Sequence, residues 1–184
     1  MIQKYLKKII NRYKSSRFKE CGENVEFSND SHFAYPERII FGSHIYVGPK
    51  AYFIGLGGIK VSDNVIFGPM VTIHSSNHNY RYKPTMIPYD GRQHLKPVYI
   101  GPNTWIGSNV CICPGISIGE GVIIAMGSVV TNDIPDLAIC GGNPAKIISY
   151  RNKKKYDDLK ANKSFYMKKK YNKQVLDIEE FWID

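Results

Sequence analysis

No stretch of this sequence approaches the roughly 18–20 apolar residues needed to cross a membrane. The opening MIQKYLKKII has too short an apolar run for a secretory signal and no small-residue cleavage site, so a cytoplasmic protein is expected. Cysteine is scarce. The four present, Cys21, Cys111, Cys113 and Cys140, form no CxxC pair and no disulfide-framework spacing. Cys111-x-Cys113 is read as two same-face thiols on a strand facing the core rather than as a metal or redox pair. Acidic residues are few at the N-terminal end: residues 1–20 carry seven Lys/Arg against one Glu, a net +6. Residues 150–184 carry a net +4, whereas 21–149 carry −1. A nucleic-acid enzyme usually concentrates basic charge around its site, and here it belongs to the ends.

The chain has 184 residues, 43% of them apolar, which suits one folded domain with terminal extensions and excludes a disordered chain. Sixteen Gly and ten Pro suit an all-β protein with many turns. A six-residue period runs through it. CGENVE and FSNDSH lead to Phe33, FGSHIY and VGPKAY to Phe53, and VSDNVI and FGPMVT to Ile73. After a break come IGPNTW, IGSNVC, ICPGIS, IGEGVI and IAMGSV, ending at Val130. The leading positions are therefore 21, 27, 33; 41, 47, 53; 61, 67, 73; 100, 106, 112; and 118, 124, 130. Position two is often Gly, and position five is small or aliphatic, as at Val25, Ile45, Ala51, Val65, Val71, Thr104, Val110, Ile116, Val122 and Ser128. The steps from 33 to 41 and from 53 to 61 are both eight residues.

A helix cannot make this pattern, because six residues turn through about 600° and do not return to one face. Short strands joined by tight turns can. Three units close a triangular coil, and stacked coils about 4.8 Å apart bury the leading residues. Gly at position two fits a corner that needs φ > 0 or has no room for a Cβ. The expected architecture is an all-β triangular prism of about five parallel coils, with an excursion loop and short terminal helices.

These hexads resemble the left-handed β-helix acyltransferases over about residues 20–150, and in particular the maltose, galactoside and polysaccharide O-acetyltransferase branch. The most specific stretch runs from NTWIGSNVCICPGISIGEGVIIAMGSVVTNDIP to the GGNPAK segment at 141–146. The left hand of the coil is implied by the resemblance alone. So is a function: transfer of an acetyl group from acetyl-CoA, without a metal, to a saccharide hydroxyl in capsule, lipopolysaccharide or exopolysaccharide modification. A homotrimer with active sites between subunits is implied as well.

Between Ile73 and Ile100 the hexads stop. The interruption, 74–99, holds three His, four Tyr and two Arg, and a long break in a regular solenoid is usually a functional loop. By the resemblance, VTIHSSNH places the catalytic base at His78. An imidazole suits the task, because it can take a hydroxyl proton as the oxygen attacks a thioester. His74 is read as packing or hydrogen-bonding, and His94 as shaping the acceptor side. Coenzyme A contacts carried over by motif fall on Trp105, Ser108, Met126, Thr131, Asn132 and Lys146. Two of these depart from the family, which often has Ala or Gly at position 126 and Lys at position 132. The galactoside branch's acceptor-side Asn and Asp have no counterpart here, since the region reads AYFIGLGGIK. Tyr52, Asn77, Arg81 and Tyr82 are the candidates for an acceptor pocket.

Residues 1–20 are expected to form an amphipathic basic helix, with Ile2, Tyr5, Leu6, Ile9, Ile10 and Tyr13 on one face. Two roles fit it: capping the first coil, and weak peripheral contact with the inner face of an anionic membrane. Residues 21–149 form the repeat domain, and 150–184 a basic, mainly helical extension. Alternatives for the activity are N-acetylation of an amino-sugar and acetylation of a xenobiotic such as an antibiotic. A γ-type carbonic anhydrase-like metal hydrolase shares the prism but needs three His around its metal, and only His74 and His78 lie close in sequence. A catalytically silent scaffold would not need His78.

Overall fold

The computed structural model describes residues 15–172. The first coil contains β1 (Glu20–Cys21), β2 (Val25–Phe27) and β3 (His32–Ala34); the second, β4 (Ile39–Phe41), β5 (Ile45–Val47) and β6 (Tyr52–Ile54); the third, β7 (Ile59–Val61), β8 (Ile66–Phe67) and β9 (Thr72–His74). An arm follows, made of β10 (Ser76–Asn79) and β11 (Asp90–Leu95). The fourth coil is β12 (Val98–Ile100), β13 (Trp105–Ile106) and β14 (Cys111–Ile112), and the fifth is β15 (Ser117–Ile118), β16 (Ile123–Ile124) and β17 (Val129–Val130). The chain then adds β18 (Ala138–Gly141), β19 (Lys146–Tyr150) and two helices, α1 (Lys153–Ala161) and α2 (Tyr166–Tyr171).

Three sheets, parallel throughout except for the antiparallel β18–β19 pair, make the faces of a prism. Sheet I is β1-β4-β7-β12-β15, sheet II is β2-β5-β8-β13-β16-β18-β19, and sheet III is β3-β6-β9-β14-β17. Pairing follows the sequence period: Phe41 lies beside Val61, Val47 beside Phe67, and Phe53 beside Ile73. The expected leading residues are buried, except that Cys21 and Phe33 of the first coil are half-buried. The position-five residues fill the rest of the interior, and all ten are buried. The core changes character along its axis. Phe27, Phe41, Phe53 and Phe67 fill the first three coils, with ring centroids 5.2 Å apart for Phe27–Phe41 and for Phe53–Phe67. Ile and Val fill the last two.

The corners explain the remaining letters of the hexad. A Cβ on Gly68 would sit 2.7 Å from the Ser108 nitrogen of the next coil, and one on Gly107 would sit 2.7 Å from the Met126 nitrogen. Position two is therefore Gly for lack of room between stacked backbones, and its φ is not left-handed there. The left-handed residue is position four: Asn24, His44, Lys50, Asn64, Met70, Asn103 and Asn109 have φ of 56–60°. Gly115, Gly121 and Gly127 take over this position later in the chain. Asn tolerates the conformation best among non-glycine residues, which explains its recurrence.

One expectation fails. Cys111 is exposed and Cys113 only half-buried. The inward residue of β14 is Ile112, because Cys111 closes one hexad and Cys113 sits at position two of the next.

Both eight-residue steps fall at the corner between sheets III and I. The first holds a 3₁₀ turn, Pro36–Arg38, and the Arg38 Nη1 donates to the Leu56 carbonyl across the second at 2.6 Å. The arm leaves from the same corner one coil later. The same corner is a plain hexad from Ile112 to Ile118, whereas in the two earlier coils loop hydrogen bonds, Arg38 N–H to the Tyr35 carbonyl and Gly58 N–H to the Gly55 carbonyl, span the extra residues.

Both C-terminal helices are anchored to the prism. Asn152 caps α1 by accepting from the Lys155 N–H at 2.9 Å, and Tyr156 and Met167 are buried. The Tyr156 hydroxyl donates to Glu120 at 2.8 Å, and Lys160 reaches the same carboxylate at 2.6 Å. A cavity of about 310 Å³ lies between these helices and sheet II. No helix among the described residues is long and apolar enough to cross a membrane. The expected N-terminal amphipathic stripe at 2–13 and the apolar-acidic end after Lys173 lie outside the described residues.

Candidate active site

The arm's root is clamped to the prism. The buried Ser75 hydroxyl donates to the Ile54 carbonyl at 2.8 Å and accepts from the Gly57 N–H at 2.9 Å. A Cβ on Gly57 would lie 1.8 Å from the Ser75 carbonyl oxygen, so only glycine allows the clamp to close. The two strands of the arm pair antiparallel, with Ser76 opposite Leu95, Asn77 opposite His94, and His78 opposite Gln93. The register then shifts, and Asn79 faces Asp90.

A polar cluster fixes that shift. The Asn79 Nδ2 donates to Asp90 Oδ2 at 2.8 Å, and its Oδ1 accepts from His94 Nε2 at 2.6 Å. Asp90 is 2% exposed and accepts from the Arg92 Nε at 3.0 Å and the Arg92 N–H at 3.0 Å. Arg92 in turn donates to the Lys83 carbonyl at 2.7 Å. The Arg92 guanidinium holds the Asp90 carboxyl well below the usual carboxylate range; burial opposes this, and the bonds from Asn79 and Thr85 add to it. A carboxyl with a depressed folded pKa stabilises the fold above its ordinary pKa of about 4, and that contribution is lost as pH falls toward the folded value. Asp90→Ala should therefore loosen the arm and leave the prism intact. Amides of 76–95 should exchange about 10- to 100-fold faster by hydrogen-exchange mass spectrometry. Unchanged exchange there would show that the cluster does not hold the arm.

His78 lies on the other side of the hairpin. Its Nδ1 is 2.9 Å from the Gln93 side-chain amide nitrogen, and its ring stacks on Tyr89 at 3.9 Å and 15°. Its backbone N–H donates to the Asn77 side chain at 2.9 Å. No hydrogen bond reaches its Nε2 among the described residues. The imidazole is thus held at Nδ1 and left open at Nε2, the nitrogen an acceptor hydroxyl can reach.

The other expected residues are spread over the coils. Asn77, Arg81 and Tyr82 are exposed on the arm, and the Tyr82 ring packs 4.7 Å from His94. Tyr52 stands on the outer face of sheet III, stacked on His32 at 4.9 Å and tilted against His74 at 6.5 Å. Burial lowers the pKa of His74. Ser108 and the exposed Met126 occupy the II–III corner, and Lys146 opens β19 beside it. Thr131 and Asn132 lie at the III–I corner, two coils past the arm, and Asn132 donates to the Thr131 hydroxyl at 3.2 Å. Trp105 is half-exposed on sheet II and is the only one of the six expected donor contacts that lines the cavity under the helices. Gln93, Tyr89, Asn79, Asp90 and Arg92 escape sequence reasoning, because the hexad period stops before them and their meeting depends on the arm's register.

The family model "Bacterial transferase hexapeptide (six repeats)" matches residues 97–132. A maltose O-acetyltransferase structure from Clostridium difficile 630 superposes with a TM-score of 0.69 at 32% identity, over 78% of this chain and 75% of that one. The chain belongs to the hexapeptide-repeat acyltransferase family. Its prism is that family's left-handed β-helix. A galactoside acetyltransferase solved in complex with coenzyme A gives a TM-score of 0.71 at 30% identity, covering 79% of this chain and 72% of that one. Among curated relatives, the galactoside O-acetyltransferase of Escherichia coli (strain K12) is 32% identical over 131 residues, 71% of this chain. The chain spans under two thirds of the length of the first curated relatives it matches, 63% in that case.

Proposed function

We propose that the protein is an acetyl-CoA-dependent O-acetyltransferase acting on a saccharide hydroxyl, with His78 as general base. The observation that carries this reading is the His78 ring, pinned at Nδ1 and by Tyr89 with Nε2 open. Its family relatives include a galactoside enzyme solved with coenzyme A and a maltose O-acetyltransferase, which supports the donor and the class of acceptor.

In the reaction, Nε2 takes the acceptor's hydroxyl proton as its oxygen bonds to the thioester carbonyl. The C–S bond then breaks, and the proton passes to the departing sulfur, giving an acetyl ester and free coenzyme A. No acyl-enzyme forms, so no Cys or Ser nucleophile is required. Ser108, Met126, Thr131, Asn132 and Lys146 flank sheet III in the coils after the arm and are the proposed donor contacts, with Trp105 on the adjoining face. Tyr52, Asn77, Arg81 and Tyr82 are the proposed acceptor contacts. These contacts are spread over the arm and two corners of the prism, which fits a homotrimer with sites between subunits.

The test is a panel of mono- and oligosaccharides, amino-sugars and aminoglycosides incubated with acetyl-CoA, read by thiol release and product mass. Acetyl ester on a sugar hydroxyl is the expected product. Release only with amine acceptors would replace the O-acetyl reading, and no release with any acceptor would remove the activity.

A further inference from the structure

The arm's register does more than display His78. It sets Gln93 directly across from it, and the Asn79–Asp90–Arg92–His94 cluster prevents a slip. A one-residue shift would turn every arm side chain to the opposite face. The partner thus delivered to Nδ1 is a neutral amide, not a carboxylate. The Gln93 nitrogen lies 2.9 Å from Nδ1 in the structure, and a half-turn of the amide group puts its oxygen at nearly the same point. With the nitrogen inward, Nδ1 is the acceptor and the ring's hydrogen sits on Nε2, which then cannot take a proton. With the oxygen inward, Nδ1–H donates to Gln93 and Nε2 is the bare base.

We propose that Gln93 is a positioning residue that selects the tautomer of His78: its amide oxygen accepts the Nδ1 hydrogen and presents Nε2 unprotonated to the acceptor. This rests on the general-base reading above. It adds that the base is tuned by a dipole, so protonating the ring gains no fixed negative charge beside it. Tyr89 holds the ring plane, and Gln93 decides which nitrogen carries the hydrogen.

Long-range ¹H–¹⁵N correlation of the imidazoles in the full chain at pH 8 reads the tautomer directly and needs no turnover. His78 is assigned by the signals lost in His78→Asn. The expected result is a predominant Nδ1–H form that becomes a mixture in Gln93→Leu. A predominant Nε2–H form, or no change in Gln93→Leu, overturns the proposal whatever the activity. The second measurement is Gln93→Glu, which keeps an acceptor at Nδ1 and adds charge. Its pH–rate profile should rise at higher pH than wild type, by about one unit, while Gln93→Leu should lose turnover with little change in KM. A Gln93→Glu profile that superposes on wild type would mean that Gln93 only packs. Absence of turnover in wild type would count against the activity alone and leave the tautomer result standing.

Discussion

His78→Ala should lower kcat by about 10²–10⁴ and leave coenzyme A affinity nearly unchanged. The split follows from where the ring sits. It is on the arm, bonded to Gln93 and stacked on Tyr89. The proposed donor contacts are on the corners of the later coils. Removing the ring takes away the proton acceptor without touching those corners. The fold should survive, because His78 is exposed and the arm is held by the Asn79–Asp90 pairing on its other face. Steady-state kinetics, titration of coenzyme A and a circular dichroism melt separate the three effects. Turnover equal to wild type would remove His78 from the mechanism, and a lost melt would show that the arm needs the ring for structure.

Phe53→Ala should cost about 3–5 kcal/mol of stability. Phe53 is fully buried, with its ring 5.4 Å from Phe33, 6.4 Å from Phe41 and 5.2 Å from Phe67. It therefore links three successive coils. Because each coil of a solenoid rests on its neighbours, a cavity there weakens two interfaces at once. The melting midpoint should fall by roughly 10 °C, and Phe53→Leu should lose less than half as much. A fall in Tm below about 2 °C for the alanine variant would mean that the ring stack contributes little.

The prism was legible because its period is a property of single letters. A residue every six positions must be apolar and another small, and both rules act within one coil and its neighbour. The two eight-residue steps were also visible as numbers, although not their coincidence at one corner. Position four was missed as the left-handed residue, since Asn, His, Lys and Met share that conformation without sharing a chemistry. The Cys111–Cys113 expectation failed because strands two residues long do not sustain an inward alternation through a corner. His78 was found through resemblance, but its surroundings were not. Gln93 is fifteen residues away and meets it only because Asp90 and Arg92 set the bulge between them.

The shift from phenylalanine to isoleucine and valine along the axis limits how the molecule can be lengthened or recombined. A coil is a repeat to the eye, but not an interchangeable part. A late coil inserted among the first three would set Ile or Val where its neighbours expect rings, leaving voids in an interior packed to crystal-like density. The reverse graft would crowd the aliphatic end. Homologous exchange should therefore succeed only between coils at matching positions along the axis and on the same side of the arm. An attempt to build a longer prism should duplicate the fifth coil, behind the arm, and leave the aromatic half as it stands.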